Sequence, residues 1–392
     1  MNIFIIPAWY PQNKDDITAS FFREQAHALA DSGHDVTVIH IEPVSFSRLL
    51  RQPKHDIRLW QDGDVRTIFH KVIIPIPGKL ADVQDKYISK LFYNIIQNQI
   101  MKDKAEGLNA PDVLHAHVSH SCAYYCLYAK EKLGIPLVVT EHYSGLLLGT
   151  ATEREYDRVR ETINGADAFI FVGSNFQKTL CKKLGIHKET YVIPNMIDTS
   201  AFEIKNTENN CFTFLSAGSL KKNKSFDLVI QAFHQAFSMD MPIRLIIAGD
   251  GDENRNLDSI IKDLDETNRI TLFGRYTREE SKDLFSKADA FVLTSQVETF
   301  GIVYIEALAS GLPCIGTKGQ GADDIVDDTN GYLVEYGNIE MLANCMKELY
   351  ENHTRYDREA IRSNCRIRFD KNEVSELIAQ IYRKLLKEEK NG

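Results

Sequence analysis

The chain has 392 residues, 43% hydrophobic and 26% charged, a balance that supports two folded cores and excludes a disordered chain. Its net charge of −9 argues against nucleic acid as a general partner. No run approaches the roughly 18 consecutive apolar residues of a membrane-spanning helix, and seven cysteines without a Cys-x-x-Cys pair read as free thiols of a reducing cytoplasm.

Residues 1–10 read as a first strand, because no charged segment or cleavage site accompanies the apolar run. Residues 20–32 have helical periodicity on Phe21, Phe22, Ala26, Leu29 and Ala30, and Ser32-Gly33 closes the helix. Val36 to His40 is the second strand, so the chain opens as a doubly wound α/β domain. The intervening loop, Trp9 to Ala19, is long for its kind, which points to function. Its Asp15 and Asp16 read as solvated and not as a metal site.

Residues 44–71 are expected to be irregular. They mix Arg48, Arg51, Lys54 and Arg58 with Leu49, Leu50 and Trp60. That mixture is either a solvated excursion or a surface patch suited to anionic lipid. A helix over 84–104 would present Tyr87, Leu91, Ile95 and Ile96 on one side. Then come a strand at Asp112–His117, a helix at Cys122–Leu133 and a strand at Leu137–His142. Cys122 and Cys126 fall on one helix face as buried thiols. His115 reads as a hydrogen-bonded structural residue. His115, His117 and His120 lack a carboxylate or cysteine to complete a zinc set. Ala166–Ser174 is a further strand, followed by a helix from Asn175.

The polar run Lys205–Asn210 marks a linker or surface loop. Phe212–Gly218 is a strand, Ser219–Ser225 a lysine-rich loop, and Phe226–Phe237 a helix. Ile243–Gly251 ends in a tight turn; Gly249 and Gly251 do not make a dinucleotide fingerprint. Arg269–Tyr276 and Ala288–Ser295 are strands. After the second, Glu298 lies in a loop and Thr299-Phe300-Gly301 starts a helix carrying Ile302, Ile305, Leu308 and Ala309. The free N–H groups at Phe300, Gly301 and Ile302 favour a phosphate. Glu306 lies inside this helix, and the loop can fold Glu298 back over the same pocket. Asp323 and Asp324 read as a polar helix start, and residues 371–390 as an amphipathic helix.

The pattern Glu298-x7-Glu306, with Phe300-Gly301 inside it, a buried strand before and Ala-x-Gly-x-Pro after, resembles the signature of retaining glycosyltransferases of the GT-B fold, family 4 (glycosyl transferases group 1). The resemblance implies two doubly wound Rossmann-like domains facing across a cleft. Residues 1–196, completed by the C-terminal helix at about 375–392, would form the acceptor side, and 197–374 the nucleotide-sugar donor domain. Glu298 would contact the donor sugar, the helix start would hold the diphosphate, and Glu306 would bind the ribose hydroxyls. Lys224 falls on the lysine of the family's Gly-Arg-x4-Lys-Gly diphosphate loop. Ser219 stands where that loop has arginine, and Lys221 or Lys222 would supply the missing charge. Ala19 replaces the glycine that precedes the stretch matching Ser20 to Gln25. His117 and His142 match acceptor-side positions, Arg275 and Tyr276 lie at the strand exit beneath the base, and Thr190–Asp198 resembles the interdomain crossing with Met196 for glycine.

The implied reaction moves a sugar from a nucleotide-diphosphate donor to a hydroxyl of a glycan or lipid-linked acceptor, with retention, in polysaccharide or glycolipid synthesis. It needs no cofactor and no metal. The expected place is the cytoplasm, with peripheral membrane contact at its inner face as an option. Two alternatives stay open: a nucleotide-sugar epimerase or hydrolase of GT-B type, and a non-catalytic nucleotide-sugar-binding partner subunit. The departures at Ser219 and Ala19 keep the second alive.

Overall fold

The computed structural model describes residues 1–11, 20–45, 56–75, 80–204 and 211–391. Ala19, Asp15, Asp16, Arg48, Leu49, Leu50, Arg51, Lys54 and the 205–210 run lie outside the described residues. The chain divides into two compact units. One comprises Met1–Val172, Gln177–Pro194 and Lys371–Gly392; the other Gly173–Phe176 and Asn195–Asp370.

The first unit holds an eight-stranded sheet. In chain order its strands are β1 (Asn2–Ile6), β2 (Asp35–Ser45), β3 (Asp56–Asp62), β4 (Val65–Ile74), β5 (Val113–His117), β6 (Leu137–Glu141), β7 (Ala168–Phe171) and β8 (Tyr191–Val192). They are ordered β3-β4-β2-β1-β5-β6-β7-β8, and β3 alone of these pairs antiparallel. The central strands are buried along their whole length, as expected where helices cover both faces of a parallel sheet.

Residues 56–74 correct the expectation of an irregular stretch: they form a β-hairpin. Gly63, at φ +58°, makes the tight turn between Asp62 and Val65. Asp62 then anchors the hairpin to helix Ser20–Asp31, accepting from Arg23 at 2.6 and 2.9 Å and pairing with His27 at 3.1 Å. Mixed apolar and basic residues hid the strand because β3 is an edge. Its period-2 alternation puts Ile57 and Leu59, 65% and 66% exposed, on the outside.

Helix Ala81–Ala105 buries the expected Ile95 and Ile96 but not Tyr87 or Leu91. Ile88, Phe92, Ile95, Ile96 and Ile100 are buried, while Tyr87 is exposed. The 88/92/95/96 set follows the i, i+4, i+7, i+8 stripe, and the 87/91 row lies one position, about 100°, round the helix. Helix Lys371–Asn391 belongs to the first unit. Its Val374, Ile378, Ala379 and Tyr382 are buried, and Tyr382 Oη lies 2.5 Å from His115 Nδ1.

The second unit holds a six-stranded sheet, its named pairings all parallel. Its strands are β9 (Phe212–Ala217), β10 (Ile243–Ala248), β11 (Ile270–Gly274), β12 (Ala290–Val292), β13 (Cys314–Thr317) and β14 (Gly331–Val334). The order is β11-β10-β9-β12-β13-β14. The chain runs outward one way from β9 and the other way from β12. The order therefore reverses between these two strands, and open α/β sheets bind ligands at the carboxyl end of such a switch point.

Candidate active site

The switch point of the second unit brings together the loops that follow β9 and β12. The β9 loop is held from behind by β10. Gly218 N donates to Ala248 O and Leu220 N to Asp250 O, each at 3.0 Å, and Glu253 N returns to Leu220 O at 3.0 Å. A Cβ on Gly249 would stand 1.8 Å from Gly218 O, and one on Gly251 2.4 Å from Leu220 O. These glycines serve close backbone approach, a role the glycine spacing did not reveal. The loop ends in a short 3-10 turn, Lys222–Lys224, and Ser225 follows at φ +54°, its Oγ 3.3 Å from Tyr336 Oη.

Asn223 O accepts from Gln296 N at 2.8 Å, tying the β9 loop to the β12 loop. Beside that tie Lys224 Nζ donates to Glu298 Oε2 in a part-buried ion pair. Glu298 is itself fixed by its backbone: its N donates to Gln320 Oε1 at 3.1 Å and its carbonyl accepts from Gly321 N at 3.0 Å. Gly321 has to be glycine here, since its Cβ would sit 2.4 Å from Phe300 O.

Helix Ile302–Ala309 starts at Gly301, whose φ of +96° and closeness to Tyr304 exclude a Cβ. Tyr304 is fully buried and its Oη bonds Leu293 O, locking the helix start to the end of β12. The first N–H groups of the helix have no intrahelical acceptor and are the natural seat of an anion. Phe300 contributes only backbone to this seat. Its ring is buried and packs edge-on against Phe369 at 5.9 Å.

Glu306 is 4% exposed and forms an ion pair with Arg278. Burial pushes its carboxyl up, and the Arg278 guanidinium opposes that shift. Tyr276 stands nearby with its phenol pushed up by burial and then by Glu306. Arg275 is exposed, as are Ser219, Lys221 and Lys222. Arg278 was missed in the sequence because a cation among Glu279 and Glu280 on a charged helix reads as solvated; only the fold carries it to Glu306.

In the first unit, His117 ends β5 and His142 follows β6. Glu141, fully buried, collects Ser119 N at 2.8 Å, the Ser119 hydroxyl, His142 N at 2.8 Å and Tyr143 N at 2.7 Å. This carboxylate fixes the turn that presents His142. No expectation had been attached to it, although a glutamate inside an apolar strand is itself a signal, since Glu is seldom buried unpaired. His117, expected on the acceptor side, ends β5 behind His142. It is fully buried, stacked on His115 at 4.5 Å, and its Nδ1 lies 3.1 Å from His142 Nε2. Because β5 is central and covered, the His117 ring is tied to the rest of the sheet end through His142. Burial holds His115 near a pKa of about 3 and His117 well below its ordinary value, the latter with help from His115 and His142. Among the described residues no group of three or more His, Cys, Asp or Glu side chains has metal-binding geometry. No described helix is long and apolar enough to cross a membrane.

In the second unit, Lys224, Glu298 and the start of helix Ile302–Ala309 lie together at the switch point of the sheet, where open α/β sheets bind ligands. Residues 18–201 match the family model Glycosyltransferase Family 4, and residues 198–368 match Glycosyl transferases group 1. The chain is therefore a glycosyltransferase of GT-B type built from these two domains. It is 25% identical over 322 residues to N-acetyl-alpha-D-glucosaminyl L-malate synthase of Bacillus anthracis, covering 76% of this chain and 81% of that protein. It is 26% identical over 358 residues to D-inositol 3-phosphate glycosyltransferase of Pseudarthrobacter chlorophenolicus, covering 85% and 81%. Among solved structures, Anabaena HepE in complex with UDP and glucose superposes with a TM-score of 0.72 at 19% identity, covering 98% of this chain and 100% of that one.

Proposed function

We propose that this chain transfers a sugar, with retention at the anomeric carbon, from a uridine-diphosphate sugar to a hydroxyl of a glycan or lipid-linked acceptor. The observation that carries this reading is the Lys224–Glu298 pair at the β9/β12 switch point. Charge grows on the diphosphate as the sugar–oxygen bond breaks, and a fixed cation with aimed N–H groups stabilises it. Lys224 and the backbone of Phe300, Gly301 and Ile302 are assigned to the diphosphate, Glu306 to the ribose and Tyr276 to the base side. When the diphosphate arrives, Lys224 exchanges one anion for another, and Glu298 is released to accept from the sugar hydroxyls. The departing phosphate takes the acceptor proton on the face it leaves, so the new bond forms with retention. His142 is assigned to a substrate hydroxyl.

The donor is assigned to residues 197–374, and the acceptor to 1–196 with 375–392. Uridine is preferred because structural neighbours carry UDP. We place the reaction at the cytoplasmic face of a membrane, in polysaccharide or glycolipid synthesis. The outward Ile57 and Leu59 of edge strand β3 support peripheral contact. Arg58, by contrast, is paired with Asp56 at 2.9 Å.

The test is incubation with UDP-sugars and a panel of acceptors, with the anomeric configuration of the product read by NMR. A retained linkage is expected, and an inverted one would refute the mechanism. A product formed equally without acceptor would identify an epimerase or hydrolase. A second reading, a non-catalytic donor-binding subunit, draws on the exposed Ser219 in the arginine position. Donor binding without turnover on any acceptor would select it.

A further inference from the structure

Arg278 is the first residue of helix Arg278–Lys287, and a capping box between Thr277 and Glu280 fixes where that helix begins. A cation in a first turn is opposed by the helix dipole, so this guanidinium has an electrostatic cost at its own helix. It is offset by the partner it reaches, Glu306, one turn into helix Ile302–Ala309. The guanidinium is also held from the side, with Cζ 5.7 Å from the centre of the Phe202 ring. Phe202 is itself buried edge-on against Phe285.

We infer that Arg278 is a positioning residue for the donor nucleotide, keeping Glu306 charged and oriented to accept from the two ribose hydroxyls. The inference rests on the nucleotide reading above and adds a residue which that reading does not use. The chemistry turns on charge. Vicinal hydroxyls donate well to a carboxylate, whereas a neutral acid offers poorer acceptors and a competing O–H. A carboxyl buried as deeply as Glu306, without a cation, takes up a proton instead. Tyr276, protonated through burial, lies within electrostatic reach of Glu306 and Arg278. The Cys365 thiol donates to Ile305 O from helix Arg358–Phe369. Neither supplies positive charge, and Arg278 is the cation acting on the carboxylate.

The experiment is calorimetric binding of UDP-glucose, whose diphosphate holds no titrating proton between about pH 5.5 and 8.5, across that range. Because burial leaves the Glu306 carboxyl raised even beside Arg278, wild type and Arg278→Lys are expected to weaken only toward the acidic end, and by less than Arg278→Ala. Arg278→Ala is expected to bind roughly tenfold or more weakly at the acidic end and to recover at the alkaline end, as Glu306 ionises again. Glu306→Gln is expected to be weak and flat with pH, and adding Arg278→Ala to it should weaken it little further. A pH-independent loss in Arg278→Ala, or one fully additive with Glu306→Gln, would overturn the positioning role. Glu306→Gln binding as tightly as wild type, or no binding by wild type, would overturn the uridine-nucleotide reading itself, and this inference with it. Circular dichroism on each variant separates these outcomes from misfolding.

Discussion

Lys224 Nζ donates to Glu298 Oε2, so the cation assigned to the diphosphate and the carboxylate assigned to the sugar are already in contact without a ligand. They lie 74 residues apart and belong to loops after neighbouring strands, β9 and β12. Each satisfies the other's charge in a part-buried place where a lone charge would be costly.

Lys224→Ala is expected to reduce the turnover number by roughly 10²–10³, with a smaller change in donor affinity. Its charge matters most where negative charge is growing, and its loss also leaves Glu298 without its cation. Lys221→Ala and Lys222→Ala, both at exposed positions, should each cost only part of the activity. Ser219→Arg should preserve or raise it. Steady-state kinetics decides, and full activity in folded Lys224→Ala would remove this lysine from the mechanism.

A residue remote from the chemistry should matter as much to the fold. Gly249→Ala places a Cβ 1.8 Å from Gly218 O at a backbone φ of +148°. It is expected to cost about 3–5 kcal/mol through steric overlap and backbone strain, and to displace the loop that carries Lys224. Gly274→Ala, at φ +85° with nothing within 4 Å, should cost only about 1–2 kcal/mol. Urea denaturation of the two variants measures the difference; equal costs would discount the close approach.

Acid should destabilise the first unit. Burial lowers His115 to about 3 and His40 to about 4, the latter despite its contact with Pro7 O. Both folded values lie below the ordinary 6.5, so the unfolded chain binds more protons in between. Their contribution is fully present above about pH 6.5 and is lost as pH falls toward the folded values. Each histidine should steepen the loss toward a limit of about 1.4 kcal/mol per pH unit. Urea midpoints measured from neutral to mildly acidic pH test this. A flat response would contradict the burial of neutral imidazoles.

Turnover is expected to survive chelation, because Lys224 and the amides at the start of helix Ile302–Ala309 are assigned the charge stabilisation that a metal supplies elsewhere. Loss of activity in EDTA, with recovery on adding magnesium or manganese, would assign that work to a cation.

The sequence by itself determined the α/β class, the strand–loop–helix order, the loops bearing Lys224 and Glu298, the helix bearing Glu306, and the amphipathic last helix. These are local properties: apolar runs, helical period, and glycines where a chain must turn. It misjudged β3 and β4, because an edge strand facing outward with Ile57 and Leu59 lacks the apolar-in, polar-out signal. It placed Ile95 and Ile96 of helix Ala81–Ala105 correctly but took Tyr87 and Leu91 in place of Ile88 and Phe92, because the buried polar residues Asp85, Gln99 and Asp103 blur the stripe. Only the tertiary structure decided what crosses between strands. It set Gly249 against Gly218, Lys224 against Glu298, Arg278 against Glu306, and Glu141 beneath His142. Apart from the neighbours Glu141 and His142, whose turn is closed from Ser119, these are contacts between residues well separated in the chain, set by sheet order and strand exit, which no local window of sequence contains.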